Sequence, residues 1–104
     1  MTDRIEKLKQ FLAQNPGDSF VQHALALEYV NTGDYDEAKK LFESVLAKDE
    51  NYIGSYYHLA KLLETINNKD AALKVYEKGM AKAKEAGDMK TYGELQTAYE
   101  DLTE

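Results

Sequence analysis

The chain contains no cysteine. Without a thiol there is no disulfide framework, no thiolate metal site and no cysteine nucleophile. Proline occurs once, at Pro16, and glycine six times in 104 residues. Element interiors are therefore uninterrupted over most of the chain, which favours long helices over many short strands. No apolar run approaches the roughly eighteen residues of a membrane span. Met1 to Leu12 mixes Asp3, Arg4, Glu6, Lys7 and Lys9 with its apolar residues, which excludes a secretory apolar core. Basic residues are outnumbered, 13 against 19 acidic, and the net charge of -6 disfavours nonspecific association with nucleic acid or anionic membrane. A cytoplasmic protein is expected.

What is present is a repeat. The apolar content of 43 % and charged content of 31 % suit one globular domain spanning residues 1–104. Within it, residues 19–52 lie over residues 53–86 without a gap. Leu25 falls on Leu59, Ala26 on Ala60, Asp36 on Asp70, Ala38 on Ala72, Glu43 on Glu77 and Ala47 on Ala81. Phe42 over Tyr76 and Leu46 over Met80 keep their apolar character, so the repeat preserves core positions. A period of 34 residues marks stacked supersecondary units that bury a hydrophobic face only against their neighbours.

Residues 3–14 place Ile5, Leu8, Phe11 and Leu12 at helical spacing and predict an amphipathic helix. Asn15-Pro16-Gly17-Asp18 stops it, and Asp18 or Ser19 can cap the next helix. That helix, about 19–31, is apolar on more than one side. Gly33 suits a left-handed C-terminal cap and Asp34 an N-cap, before a helix over 35–48 with Ala38, Leu41, Phe42, Val45 and Leu46 on one face. The second unit repeats the plan, with helices from about Tyr52 to Thr65 and from near Asp70 to Ala86. Asn67 takes the Gly33 position, and asparagine is the usual substitute where positive φ is required. A last helix, 89–103, sets Tyr92, Leu95 and Tyr99 36 residues after Tyr56, Leu59 and Leu63. Two full units are thus flanked by a half unit at each end.

These residues resemble the tetratricopeptide repeat, whose pattern is Trp-x2-Leu-Gly-x2-Tyr, then Ala-x3-Phe, then Pro. The first unit reads Gln22-x2-Leu25-Ala26-x2-Tyr29, then Ala38-x3-Phe42; the second reads Tyr56-x2-Leu59-Ala60-x2-Leu63, then Ala72-x3-Tyr76. The family proline survives only as Pro16. The resemblance implies an all-α fold, a right-handed superhelix of about six helices in antiparallel pairs. It also implies a concave groove, lined by the first helix of each pair, that takes peptides or protein segments. By offset from the packing positions, the groove residues are His23, Leu27, Val30 and Asn31, then Tyr57, Lys61, Glu64 and Thr65, then Gly93, Thr97 and Glu100. One subfamily clamps acidic chaperone tails with cations and asparagines. At those places this chain has His23, Leu27, His58, Lys90 and Glu94, and a site with one cation beside a glutamate would leave a ligand carboxylate unpaired.

Other features read as structural. His23 and His58 lack a third ligand of suitable spacing, so neither a metal nor any other cofactor is expected. Tyr56 holds a core position, whereas Tyr57 points to the groove. Lys74, Lys78 and Lys82 form a basic stripe on a solvated convex face. Asp34, Asp36 and Glu37 mark a helix start, and no phosphate loop or nucleophile elbow occurs, so no enzymatic activity is expected. Two functional expectations result: a non-enzymatic adaptor holding a protein segment in its groove, or a structural protein whose terminal half units pair with another copy as a homodimer.

Overall fold

The computed structural model describes residues 2–104; Met1 lies outside the described residues. Six helices follow one another: α1 (Thr2–Gln14), α2 (Ser19–Thr32), α3 (Tyr35–Lys48), α4 (Gly54–Thr65), α5 (Lys69–Glu85) and α6 (Met89–Thr103). Their starts are fixed locally. The Val21 amide donates to Asp18 at 3.0 Å, the Ala71 amide to Asn68 at 3.3 Å and the Thr91 amide to Asp88 at 3.1 Å. Each bond satisfies a helix amide that has no partner within the helix.

Asp34 behaves differently from the expected cap. Its carboxylate accepts from the Thr32 hydroxyl at 2.6 Å and makes no bond to the first turn of α3. Asp36 and Glu37 supply the negative charge at that helix start instead. Gly33 and Asn67, one repeat apart, end α2 and α4 alike, and Gly87 ends α5 in the same way outside the 34-residue register. Gly33 (φ 82), Asn67 (φ 63) and Gly87 (φ 73) all turn left-handed. The following amides of Asp34, Asn68 and Asp88 then donate back to the carbonyls of Tyr29, Leu63 and Ala83 at 2.8–2.9 Å. α4 begins at Gly54, two residues later than its apolar pattern suggests. The Tyr52 amide donates to the Asp49 carbonyl, which holds Tyr52 in a turn before the helix can start.

The helices pack mainly as neighbours in sequence, α2 on α3, α4 on α5 and α5 on α6, with α1 against α2 and α3 against α4. Ala26, Ala38, Ala60 and Ala72 are completely buried, so the two hairpins close tightly. Phe42 and Tyr76, one repeat apart, fill the space beside them and are equally buried. One cluster joins Ala26, Ala38, Phe42, Leu59 and Leu63; the second joins Tyr56, Ala60, Tyr76, Leu95 and Ala98. α4 and α5 contribute to both, α5 through Ala72 in the first and Tyr76 in the second.

Gly79 is closely packed. A Cβ there would lie 2.7 Å from Tyr56 Cβ and 3.1 Å from Leu95 Cδ1, so α5 meets α4 and α6 where only glycine fits. Tyr56 cannot give way easily, because its ring is buried and its hydroxyl donates to the Glu50 carbonyl at 2.6 Å. Outside the helices, Lys78 and Lys82 both reach Glu50, at 3.4 and 3.1 Å, and tie α5 to the loop before α4. Two members of the basic stripe therefore brace the stack. Gly79→Ala should lower the unfolding free energy by about 1–3 kcal/mol through overpacking, despite alanine's better helix propensity. Urea unfolding measures this, and a neutral or stabilising result would show that the crossing is not tight.

Candidate functional site

The residues expected to line a groove lie on α2, α4 and α6, the first helices of successive units, and they differ in exposure. Asn31, Lys61, Thr65, Thr97 and Glu100 are exposed, while His23, Leu27, Val30, Tyr57, Glu64 and Gly93 are half-buried. Leu27 and Val30 pack against the first core cluster, so only part of each is available to a ligand. Glu64 is engaged twice: it accepts a hydrogen bond from the Tyr76 hydroxyl and pairs with Lys61 at 3.9 Å. Burial and this carboxylate hold the Tyr76 phenol far above its ordinary pKa.

His23 and His58 meet across α2 and α4 with ring centroids 5.5 Å apart. His23 Nδ1 shares a 2.7 Å hydrogen bond with the hydroxyl of fully buried Ser55, and its ring abuts Tyr52. His58 stacks on Phe42 and takes Tyr57 edge-on at 5.6 Å. The pair is thus packing for the seam between the two units. Among the described residues, no cluster of three or more His, Asp or Glu is placed to hold a metal. Burial pushes both imidazoles below their ordinary pKa, and for His23 the nearby His58 charge adds to it.

Beside Tyr57 lies a cavity of about 730 Å³ lined by Tyr57, Lys90, Gly93, Glu94 and Thr97. Lys61 places its ammonium 5.9 Å from the centroid of the Tyr57 ring. Gly93 has no packing reason to be glycine, since a Cβ there would meet nothing within 4 Å. Such a mid-helix glycine costs about 1 kcal/mol relative to alanine. Lys90 and Glu94, absent from the offset-derived groove residues, are the two positions that the comparison with the acidic-tail clamp had named. They sit within a turn of Gly93 on the same helix face, which is the signal that finds them. At the other end, Phe11 and Phe20 are exposed by 51 % and 70 % beside Arg4, Leu8 and Val21.

The tetratricopeptide repeat family model matches residues 29–99. A tetratricopeptide repeat domain protein from Salinibacter ruber shares 38 % identity over 84 % of this chain and 88 % of its own, with a TM-score of 0.80. The chain belongs to the tetratricopeptide repeat family. The fold is also shared at 16 % identity with the TPR2B domain of yeast Sti1 in its pHsp70 complex, TM-score 0.88, covering 95 % of this chain and 79 % of that one. PcrH in complex with the chaperone binding region of PopD gives a TM-score of 0.90 at 16 % identity, over 98 % and 77 % of the two chains. No curated protein matches the chain.

The histidine seam has a measurable consequence. An unfolded histidine titrates near about 6.5, and both folded imidazoles titrate lower, so between those values the unfolded chain binds more protons. Stability should be fully present above about pH 6.5 and fall as pH drops through the folded pKa values. Thermal unfolding of the wild type beside His23→Gln/His58→Gln checks this: the wild type should lose more stability on acidification. Equal losses would mean that the pair does not carry the effect.

Proposed function

We propose that the protein is a non-enzymatic interaction module that holds a short segment of another protein along the wall formed by α2, α4 and α6. The observation that carries this reading is the open cavity beside Tyr57, on the face that the two hairpins leave uncovered. Leu27 and Val30 would grip the apolar part of the segment, while Asn31, Tyr57 and Lys61 would grip its polar part. His23 and Glu64 would act from behind, by holding the wall in shape. Fold neighbours bound to other proteins, PcrH with PopD and TPR2B with pHsp70, support the general mode. They do not supply the ligand, because His23, Leu27 and His58 stand where an acidic-tail clamp needs cations and asparagines. A groove this short should bind with micromolar affinity.

Pairing of copies through the terminal half units is the weaker reading. Exposed Phe11 and Phe20 favour it at one end. The repeat register opposes it at both ends. Arg4 stands 34 residues before Ala38, and Gln96 stands 36 residues after Ala60. Both are exposed, Arg4 bonding to Glu28 at 3.0 Å, so a new hairpin would meet a long polar side chain where the existing ones have buried alanine. Pull-down from native cell extract should lose its partners with Leu27→Asp and with Tyr57→Ala; retention with both variants removes the groove reading. Light scattering from micromolar to millimolar protein should give a monomer throughout, and a mass rising to the dimer that reverts in Phe11→Ser/Phe20→Ser would restore pairing.

A further inference from the structure

We propose that the furrow between α3 and α5 is a second binding site, which takes the C-terminal residue of a partner chain, its apolar side chain in the furrow and its carboxylate on Lys74 and Lys78. The site lies apart from the residues of α2, α4 and α6 discussed above and does not depend on them.

α3 and α5 both pack on α4 more than on each other, and the space left between them is a cavity of about 330 Å³. Its floor is Tyr56 and Leu59 of α4, both buried, and its sides are Leu46 and Ala47 of α3 and Val75 of α5. Leu46 and Val75 are only half-buried, so the sides keep apolar surface open to a ligand. Ligand pockets span roughly 300–1,000 Å³, and one at the small end of that range admits a single large side chain rather than a long hydrocarbon chain.

Ion pairing decides which apolar group fits. Three charged side chains stand at the rim, Glu43, Lys74 and Lys78. Glu43 is already paired with Lys39 at 3.4 Å. Lys78 reaches Glu50 at 3.4 Å but shares it with Lys82, which lies closer at 3.1 Å. Lys74 has no acidic partner within 4 Å among the described residues and takes no part in the bracing that Lys78 and Lys82 provide. The other carboxylates along this face are engaged elsewhere. Glu77 accepts from the Tyr99 hydroxyl at 3.0 Å, and Glu85 pairs with Lys82 at 3.6 Å. Asp70, one turn before Lys74, stands outside the lining in the first turn of α5, where the helix dipole favours it.

The repeat shows how the imbalance arises. Lys40 stands 34 residues before Lys74 and pairs with Glu37 at 3.7 Å. The counterpart of Glu37 is Ala71, so the same lysine loses its partner in the second unit, and Lys78 stands where the first unit has Ser44. Both changes make the second furrow more positive than the first. A neutral apolar group there would desolvate Lys74 without pairing it, and a cation would meet two ammonium groups. A C-terminal residue carries its side chain and its carboxylate on one Cα, so a single residue fills the furrow and meets the lysines. A lysine ammonium is a point charge that accepts a carboxylate from many directions, which suits a chain end held mainly by its side chain.

The test is a titration of ¹⁵N-labelled protein with acetyl-phenylalanine, its carboxylate free, followed by amide shifts, with acetyl-phenylalanine amide, acetyl-alanine and hexanoate as comparisons. Acetyl-phenylalanine should move the Leu46, Ala47 and Val75 amides at millimolar concentration, about tenfold lower than its amide or acetyl-alanine requires. Lys74→Gln should remove most of that advantage, and Lys40→Gln none of it. Ala47→Phe, at an exposed position, should block the response by filling the furrow. An amide that binds as well as the acid, an unchanged response in Lys74→Gln, or no shift at all would overturn the site. Tighter binding of hexanoate would overturn the chain end as its occupant. Shifts confined to Leu27 and Tyr57 would put the acid in the groove instead, overturning the furrow site and leaving the groove reading standing.

Discussion

Two antiparallel helices can approach only as far as the side chains between them permit, and in this protein small residues, Ala26, Ala38, Ala60, Ala72 and Gly79, are the ones buried there. Ala26 with Ala38 and Ala60 with Ala72 are wholly buried, which lets each hairpin close until Phe42 or Tyr76 fills the space alongside. Neither hairpin can bury its apolar faces alone. Each depends on the next, and the α4–α5 hairpin is common to both clusters. At the corresponding positions of the two terminal half units, Arg4 and Gln96 are long, polar and exposed.

The same constraint produces the functional surface. Hairpins that nest side by side bring the first helices α2 and α4 into contact and set Tyr57 of α4 beside Lys90, Gly93, Glu94 and Thr97 of α6. The space there is graded. Toward α2 the wall is closed by its own packing, with His23, Phe42, His58 and Ser55 interlocked. Toward α6 it opens at Tyr57 and Gly93. The two-residue extension between the second and last units changes what stands opposite Tyr57, so repetition of sequence does not give repetition of site.

The repeat made much of the fold legible before any coordinates. The 34-residue register places the helices, and the substitution of Asn67 for Gly33 predicts a left-handed turn that the backbone adopts. What escaped was decided by contacts between parts. Asp34 has the composition of a cap, but the Thr32 hydroxyl reaches its carboxylate first. Glu64 has a groove offset, yet the Tyr76 hydroxyl and Lys61 engage its carboxylate. Gly79 and Gly93 look alike in sequence as mid-helix glycines. Only the relative placement of α4, α5 and α6 shows one pressed by neighbours and the other facing open space. A site formed between helices cannot be read from offsets along one helix.

The most direct trial of this account is the stability of Ala60→Leu, measured by chemical unfolding. Leucine is the more apolar residue, so a core held together by hydrophobic burial without close helix contact would gain stability from it. Close nesting predicts the opposite sign, a loss of about 1–3 kcal/mol or more, because the added atoms would force α4 and α5 apart. A variant as stable as the parent, or more stable, would contradict the account at its foundation.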